Sequence, residues 1–404
     1  MFIDLHMHTT ASDGAATIEE MAQSARRRGY RFLGITDHSQ SLAVANGLNH
    51  DRLLAQRAEL AAASRKIGIP LLAGAEVEVL SDGSLDYSDA VLVLHRGRIV
   101  YERYGGCMGE HVLHGAMSVT KSITGLIGEV LVAEGRIDET ALMGDLIPEL
   151  ADSAFGDATV RQVLDMTTAL DYSEDYADPD ADVWTYAQAG SPLPPPDGYE
   201  GPRSYFGFLE TVRKDGTHGE AFGYLTINTD AMGWLISRTT GMSVADWLAE
   251  NVWTRSGTER EAFYTVDSIG TPFAGGGFNA TLRDYARLGV VLANDGAHPY
   301  AKGTQIVPRD FLIEATDWKR APKPFHPGIA TPVYGYGYQF WLYPGETRRF
   351  MMLGVFGQSM FVDPAQKLVI VQTAANAAAE AGGTSLASER DAFWRGVLQY
   401  DAKR

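Results

Sequence analysis

The 404-residue sequence predicts an α/β (α+β) protein in two parts. A short parallel βα segment covers 1–88, and an antiparallel sheet flanked by helices covers 89–404, with a helical subdomain inserted at about 136–260. Three observations carry this. Strand-like and helix-like runs alternate through the first 88 residues, as parallel βαβ units require. After Asp89 the rhythm switches to a hairpin, two short apolar runs on either side of His95-Arg96-Gly97. Strand-like runs then return only near the end, which leaves the helical middle as an insertion between the two halves of one sheet.

Each element has a local reason. Residues 2–5 read as a strand. Thr17 with Glu20 forms a capping-box signature for a helix through Arg28, closed by Gly29. A second strand is predicted over 31–36, a helix over 50–66 and a third strand over 71–80. Three strands are too few to close a barrel. In the second part the hairpin covers 90–94 and 98–102, and a helix runs from Ser118 to about Gly135. Helices at 230–239, stopped by Gly241, and 243–250, opened by Ser243 with Asp246 three residues on, have clear end signals. Strands follow at 338–343, 350–355, 359–362 and 368–373, and an amphipathic helix at 385–400.

Composition narrows the classes of function. Hydrophobic residues make up 45% and charged residues 21%, the balance of an ordinary globular chain. A net charge of −17 argues against nucleic acid or an anionic membrane as partner. The single cysteine, Cys107, excludes an internal disulfide and a cysteine-based zinc cluster. The first residues lack the basic and apolar regions of a secretory signal, and no run approaches the ~18 apolar residues of a membrane span. The expectation is a soluble cytoplasmic protein acting on a small molecule. The sequence leaves its oligomeric state open, a homodimer included.

The main chemical signal is Ser118-Val-Thr-Lys121 at a helix start. The i, i+3 spacing puts both side chains on one face, over the positive helix end, where a developing anion is favoured and a protonated ammonium is not. Lys121 then serves as a base for the Ser118 hydroxyl. Alone the motif is weak, since chance places about 0.4 such pairs in a chain with 21 Ser and 8 Lys. Its bland reading is a capping serine followed by a surface lysine.

Around it stand Met117 through Gly125, Glu134-Gly-Arg-Ile-Asp138, Val163-Leu-Asp-Met-Thr-Thr168, Gly223 through Asp230, Gly275-Gly-Gly277 and Arg283-Asp-Tyr-Ala-Arg287. Together these resemble the class C β-lactamase and penicillin-binding-protein-like serine hydrolases, nearest to the 6-aminohexanoate-dimer hydrolase (carboxylesterase) branch, over about 89–404. The resemblance implies a β-lactamase-like fold and a hydrolase of carboxylic esters or linear amides that needs no cofactor. It implies Ser118 as nucleophile, Lys121 as proton relay and Tyr224 as general base, with a phenol whose pKa Lys121 lowers. The oxyanion hole it implies uses the backbone N–H groups of Ser118 and Leu353. Tyr176 and Thr226 fall on substrate-binding positions, Thr226 where the usual motif has Asn. The family's Lys-Thr-Gly is absent, the strand reading Phe350-Met-Met-Leu-Gly354. That removes donors for a β-lactam carboxylate, and the acidic run from Asp171 to Asp182 further disfavours an anionic substrate.

The N-terminal text Asp4-Leu-His6-Met-His8, Asp13-Gly14, Ile35-Thr-Asp37-His38 and Gly74-Ala-Glu76 resembles the PHP domain of bacterial family X DNA polymerases. His6, His8, Asp13, His38 and Glu76 fall on its metal-ligand positions, which suit Zn²⁺ or Mn²⁺. The resemblance stops near residue 88, where that fold would continue with further ligands. The expectation is a truncated PHP-like segment with at most a weak, dispensable metal. Two alternatives to the serine hydrolase are a metal-dependent phosphoesterase using these histidines and a catalytically silent penicillin-binding-type protein.

Overall fold

The structure is a computed structural model that describes residues 3–4, 7–37, 46, 48, 50–73, 88–106, 108–195, 198–321, 325–328, 330–376 and 385–401. The chain divides into two compact units, Met1–Tyr87 with Ala375–Ala377, and Ser88–Ala374 with Ala378–Arg404.

The first unit has the order β1 (Ile3–Asp4), α1 (Ile18–Arg27), β2 (Phe32–Ile35), α2 (His50–Ile67) and β3 (Leu71–Ala73), with its three strands parallel in sequence order. The Thr17/Glu20 capping box forms, the Thr17 N–H donating to Glu20 Oε2 at 2.8 Å. Ile18, Ala22 and Ala25 repeat at helical spacing, so α1 buries one face together with Leu33, Ile35 and the Leu60, Ala63 and Ile67 of α2. The predicted third strand is observed as far as Ala73, and 74–80 lie outside the described residues.

In the second unit the hairpin is β4 (Ser88–His95) and β5 (Arg98–Tyr104), followed by β6 (Leu113–Gly115) and α3 (Val119–Ala133). The helical region comprises α4 (Met143–Leu146), α5 (Val160–Leu164), β7 (Leu170–Asp171), α6 (Asp182–Ala189), α7 (Tyr205–Leu209), β8 (Arg213–Lys214), α8 (Thr226–Thr240) and α9 (Val244–Leu248). Then come β9 (Phe263–Tyr264), β10 (Phe278–Thr281), α10 (Leu282–Ala293) and α11 (Arg309–Thr316). The last elements are β11 (Gly335–Gly337), β12 (Phe340–Leu342), β13 (Phe350–Gly354), β14 (Gln358–Asp363), β15 (Leu368–Ala374) and α12 (Ser385–Asp401).

Seven strands form one antiparallel sheet in the order β11-β12-β13-β14-β15-β4-β5. The hairpin at the start of the unit therefore pairs with the last strand of the chain, as the sequence predicts. Side chains alternate strictly. Leu92, Leu94, Val369, Val371, Met352 and Met360 join the large core with α3 and α10, while Val93, Ile370, Met351 and Phe361 face Trp394 of α12. Sequence reasoning missed the small sheet β6-β10-β9 and the pair β7-β8, whose strands are two to four residues long.

One buried group works against this core. Glu129 of α3 is 1% exposed, and neither carboxylate oxygen has a hydrogen-bond partner among the described residues. Burial pushes its pKa well above the carboxylate range. The unfolded chain ionises near pH 4.5 and the folded chain only at higher pH, so unfolding releases a proton and stability falls as pH rises through that window. Glu129→Leu is expected to stabilise by about 2 kcal/mol, with a larger gain in Tm at pH 8 than at pH 5. A pH-independent change, or a loss, would contradict this account.

Candidate active site

β6 leads into α3 through Ala116 and Met117. The Ala116 N–H donates to Phe278 O of β10 at 2.7 Å, and Met117 takes φ +46°, a left-handed conformation uncommon for a side chain of its size. Ser118 follows at the helix start with helical φ and ψ and no side-chain capping bond. The bland reading of a capping serine is thus not what the hydroxyl does. Its Oγ accepts from Lys121 Nζ at 2.7 Å, and Lys121 also donates to Gly275 O at 2.9 Å.

Lys121 is 1% exposed. Burial drives its pKa down to about 8, against the opposing pull of the Glu174 and Asp230 carboxylates. The expected weakening of the ammonium is present, with burial as its largest cause. A useful fraction of this amine is neutral near physiological pH.

Tyr224 lies two residues before α8. Lys121 Nζ is 5.3 Å from its ring centroid, and the ring packs on Trp341 (5.1 Å) and edge-on to Tyr336 (5.7 Å). Hydrogen bonding to Ser118 and Trp341 pulls the phenol pKa down, but burial outweighs both and holds it above the ordinary tyrosine value. This corrects the expectation of a lowered phenol. Tyr224 sits in the site as a neutral hydroxyl beside Ser118 and Lys121.

The strand expected to carry the second oxyanion donor does lie against Ser118. A Cβ built on Gly354 would lie 3.0 Å from the Ser118 N and 2.7 Å from Ala116 O, so β13 meets the nucleophile turn at Gly354, one residue beyond Leu353. Only a residue without a side chain permits that approach. Val355 then opens the short helical turn Val355–Gly357, where the first N–H groups have no partner within the turn.

The two predicted substrate contacts share a carboxylate partner. Thr226 is 4% exposed; its N–H donates to Glu174 Oε2 at 2.5 Å and its hydroxyl to Glu174 Oε1. The Tyr176 hydroxyl donates to the same carboxylate at 2.8 Å. Thr226 and Tyr176 therefore hold Glu174, which sequence reasoning had left in a uniformly acidic loop. That loop is divided: Asp175, Asp178 and Asp180 are exposed, Asp182 caps the Ser173 N–H at 2.8 Å, and Glu174 turns in to face Lys121. Asp230 was missed entirely. It is 1% exposed, accepts from the Tyr186 hydroxyl and, at 3.3 Å, from the Gly275 N–H, and burial raises its pKa to about 7.

Residues 86–385 match the family described as Beta-lactamase. The chain belongs to the β-lactamase family. Within that family it is 34% identical over 287 residues to the 6-aminohexanoate-dimer hydrolase of Paenarthrobacter ureafaciens, covering 70% of this chain and 72% of that one. A solved structure from Bacillus anthracis, whose given name includes 6-aminohexanoate-dimer hydrolase, superposes with a TM-score of 0.68 at 31% identity, over 78% of this chain and 80% of the other. A family VIII carboxylesterase shares the fold at a TM-score of 0.54 and 19% identity, over 81% of this chain and 93% of the other. This β-lactamase-family chain is a hydrolase with a β-lactamase-like fold.

A second match, described as PHP domain, covers residues 4–126. The segment is 50% identical over 90 residues to the DNA polymerase/3'-5' exonuclease PolX of Bacillus subtilis, 22% of this chain and only 16% of that protein. The two family matches overlap at 86–126, and from Ser88 onward this overlap folds within the second unit. Of the five predicted ligands, His6, His38 and Glu76 lie outside the described residues. His8 Nδ1 lies 2.9 Å from Asp13 Oδ1. Asp37, fully buried, accepts from Thr9 N and Oγ1 (both 2.6 Å), Ser12 Oγ (2.5 Å) and Gln56 Nε2, and is satisfied without a cation. Among the described residues no group of three or more His, Cys, Asp or Glu side chains is gathered to hold a metal. No helix among them is long and apolar enough to cross a membrane.

Proposed function

We propose that the protein hydrolyses carboxylic esters or linear amides through an acyl-enzyme on Ser118, without a cofactor. The observation that carries this reading is the 2.7 Å contact between Ser118 Oγ and a buried Lys121 whose pKa is about 8. With the amine neutral, the same contact runs from the hydroxyl to Nζ. Ser118 Oγ then attacks the carbonyl carbon as its proton moves to Lys121. The oxyanion is received by the Ser118 N–H and the peptide at Gly354–Val355, the two chain segments that meet there. Tyr224, kept protonated by burial beside Ser118 and Lys121, passes its proton to the departing alkoxide or amine as it takes one from Lys121, without forming a free phenolate. Water attacks the acyl-enzyme by the reverse route and releases the acid.

Substrate charge follows from the carboxylates. Glu174 and Asp230 both act on Lys121, so the cleft is electronegative, and β13 carries no Lys-Thr-Gly donors. Neutral esters and amides fit this field better than the carboxylate of a penicillin. The relatives named for 6-aminohexanoate-dimer hydrolysis support the amide side of the reading. Steady-state kinetics test it: kcat/KM for p-nitrophenyl butyrate is expected to exceed that for nitrocefin by at least about tenfold and to persist in EDTA. A preference for nitrocefin, or loss of ester turnover on chelation, would contradict it.

A further inference from the structure

The reacting groups come from two helices. Ser118 and Lys121 lie on α3, and Tyr224 precedes α8 by two residues. The two helices pack directly on each other, a Cβ on Gly128 of α3 lying 2.9 Å from Met232 Cε of α8, and a group bonded to both can fix how their catalytic ends are aligned.

Tyr338 and Gln339 form the two-residue turn of the β11–β12 hairpin, where Gly337 pairs with Phe340. Both are left-handed, at φ +49° and +69°. Such turns require positive φ at both central positions, and Asn-Gly or Asp-Gly normally fills them. Tyr-Gln is a strained choice that persists only where the surroundings over-determine it.

The surroundings do so at Gln339, which is 1% exposed. Its carbonyl accepts from Ser122 Oγ of α3 at 2.5 Å, and its N–H donates to Leu164 O of α5 at 3.1 Å. Its side-chain Oε1 accepts from Thr229 Oγ1 of α8 at 2.7 Å, and Nε2 donates to Val163 O and Leu164 O at 3.2 and 3.3 Å. The turn lies so close to α3 that a Cβ on Gly125 would sit 2.6 Å from Gln339 Cβ and 2.7 Å from Tyr338 O. Gly125 is one helical turn after Lys121, Ser122 is its neighbour, and Thr229 is in the first turn of α8, just past Tyr224.

We propose that Gln339 is a positioning residue that sets the register between the Ser118–Lys121 helix and the Tyr224-bearing start of α8, its main chain tied to α3 and its side-chain amide to α8. The proposal rests on the catalytic reading above. Glycine at 339 would relieve the strain and keep both main-chain bonds, so what glutamine adds is a side-chain amide that joins Thr229 of α8 to the Val163 and Leu164 carbonyls of α5.

The test is a set of purified full-length variants assayed on one p-nitrophenyl ester. Gln339→Gly is expected to lower kcat at least about tenfold with KM within about twofold, since small misplacements of reacting groups act on the chemical step. Thr229→Val, which removes only the partner hydroxyl, is expected to act in the same direction, and the double variant to be no worse than the worse single. In a Tyr224→Phe background Gln339→Gly should cost little further, whereas general damage to the core would cost as much in either background. Wild-type kcat in Gln339→Gly, or an equal loss in both backgrounds, would overturn the proposal. Wild-type turnover in Tyr224→Phe alone would overturn the catalytic reading and the proposal with it.

Discussion

Ser118→Ala is expected to lower kcat/KM on a simple ester by at least about a thousandfold, roughly 4 kcal/mol of transition-state stabilisation. The fold should be retained. The Ser118 hydroxyl makes no capping bond, and Lys121 keeps the Gly275 carbonyl as acceptor when the hydroxyl is removed, so the loss of stability should stay within about 1–3 kcal/mol. The contrast between a large kinetic effect and a small thermal one separates a nucleophile from a structural serine. Retention of more than about a tenth of wild-type turnover in a folded Ser118→Ala variant would contradict the mechanism.

The second large effect is the coupling of Lys121 to Tyr224. Lys121→Ala and Tyr224→Phe are each expected to reduce kcat by about a hundredfold or more, and the double variant to be little worse than the worse single, because groups that relay one proton act as a unit. The pH profile has a definite sign. Lys121 must be neutral to accept the Ser118 proton, and its pKa is lowered to about 8, so kcat/KM should fall as pH drops below about 8 and level off above it. Asp230, at about 7, and Glu174 face the same ammonium, and protonation of Asp230 removes part of the field that opposes burial. Multiplicative losses in the double variant, or a flat profile from pH 6 to 9, would argue against a shared relay.

How far these residues were legible in the sequence depended on range. Ser118 and Lys121 are three apart on one helix, so their contact follows from helical geometry alone. Thr17 with Glu20, Ser243 and Gly241 are likewise local signals, and each forms the predicted cap. The pairing of β15 with β4 spans nearly the whole second unit, yet it was readable because strand-like text occurs only at its two ends.

Glu174, Asp230 and Gln339 were not readable, because each gains its meaning from partners 44 to 217 positions away. An acidic run reads as one repulsive loop until folding turns a single member inward to the Thr226 N–H. The Tyr224 phenol moved opposite to expectation for a related reason: a neighbouring cation is visible in a motif, but the burial that outweighs it is not. At the oxyanion strand the motif gives the segment but not which peptide comes nearest the Ser118 N–H; the close approach is at Gly354, next to Leu353.

The central claim, an acyl-enzyme on Ser118, is tested most directly by intact mass after incubation with a fluorophosphonate, followed by peptide mapping. The account predicts one adduct per chain on the peptide carrying Ser118, absent in Ser118→Ala and slowed in Lys121→Ala. A chain that hydrolyses esters without acquiring this adduct, or that carries it on another residue, would contradict the account.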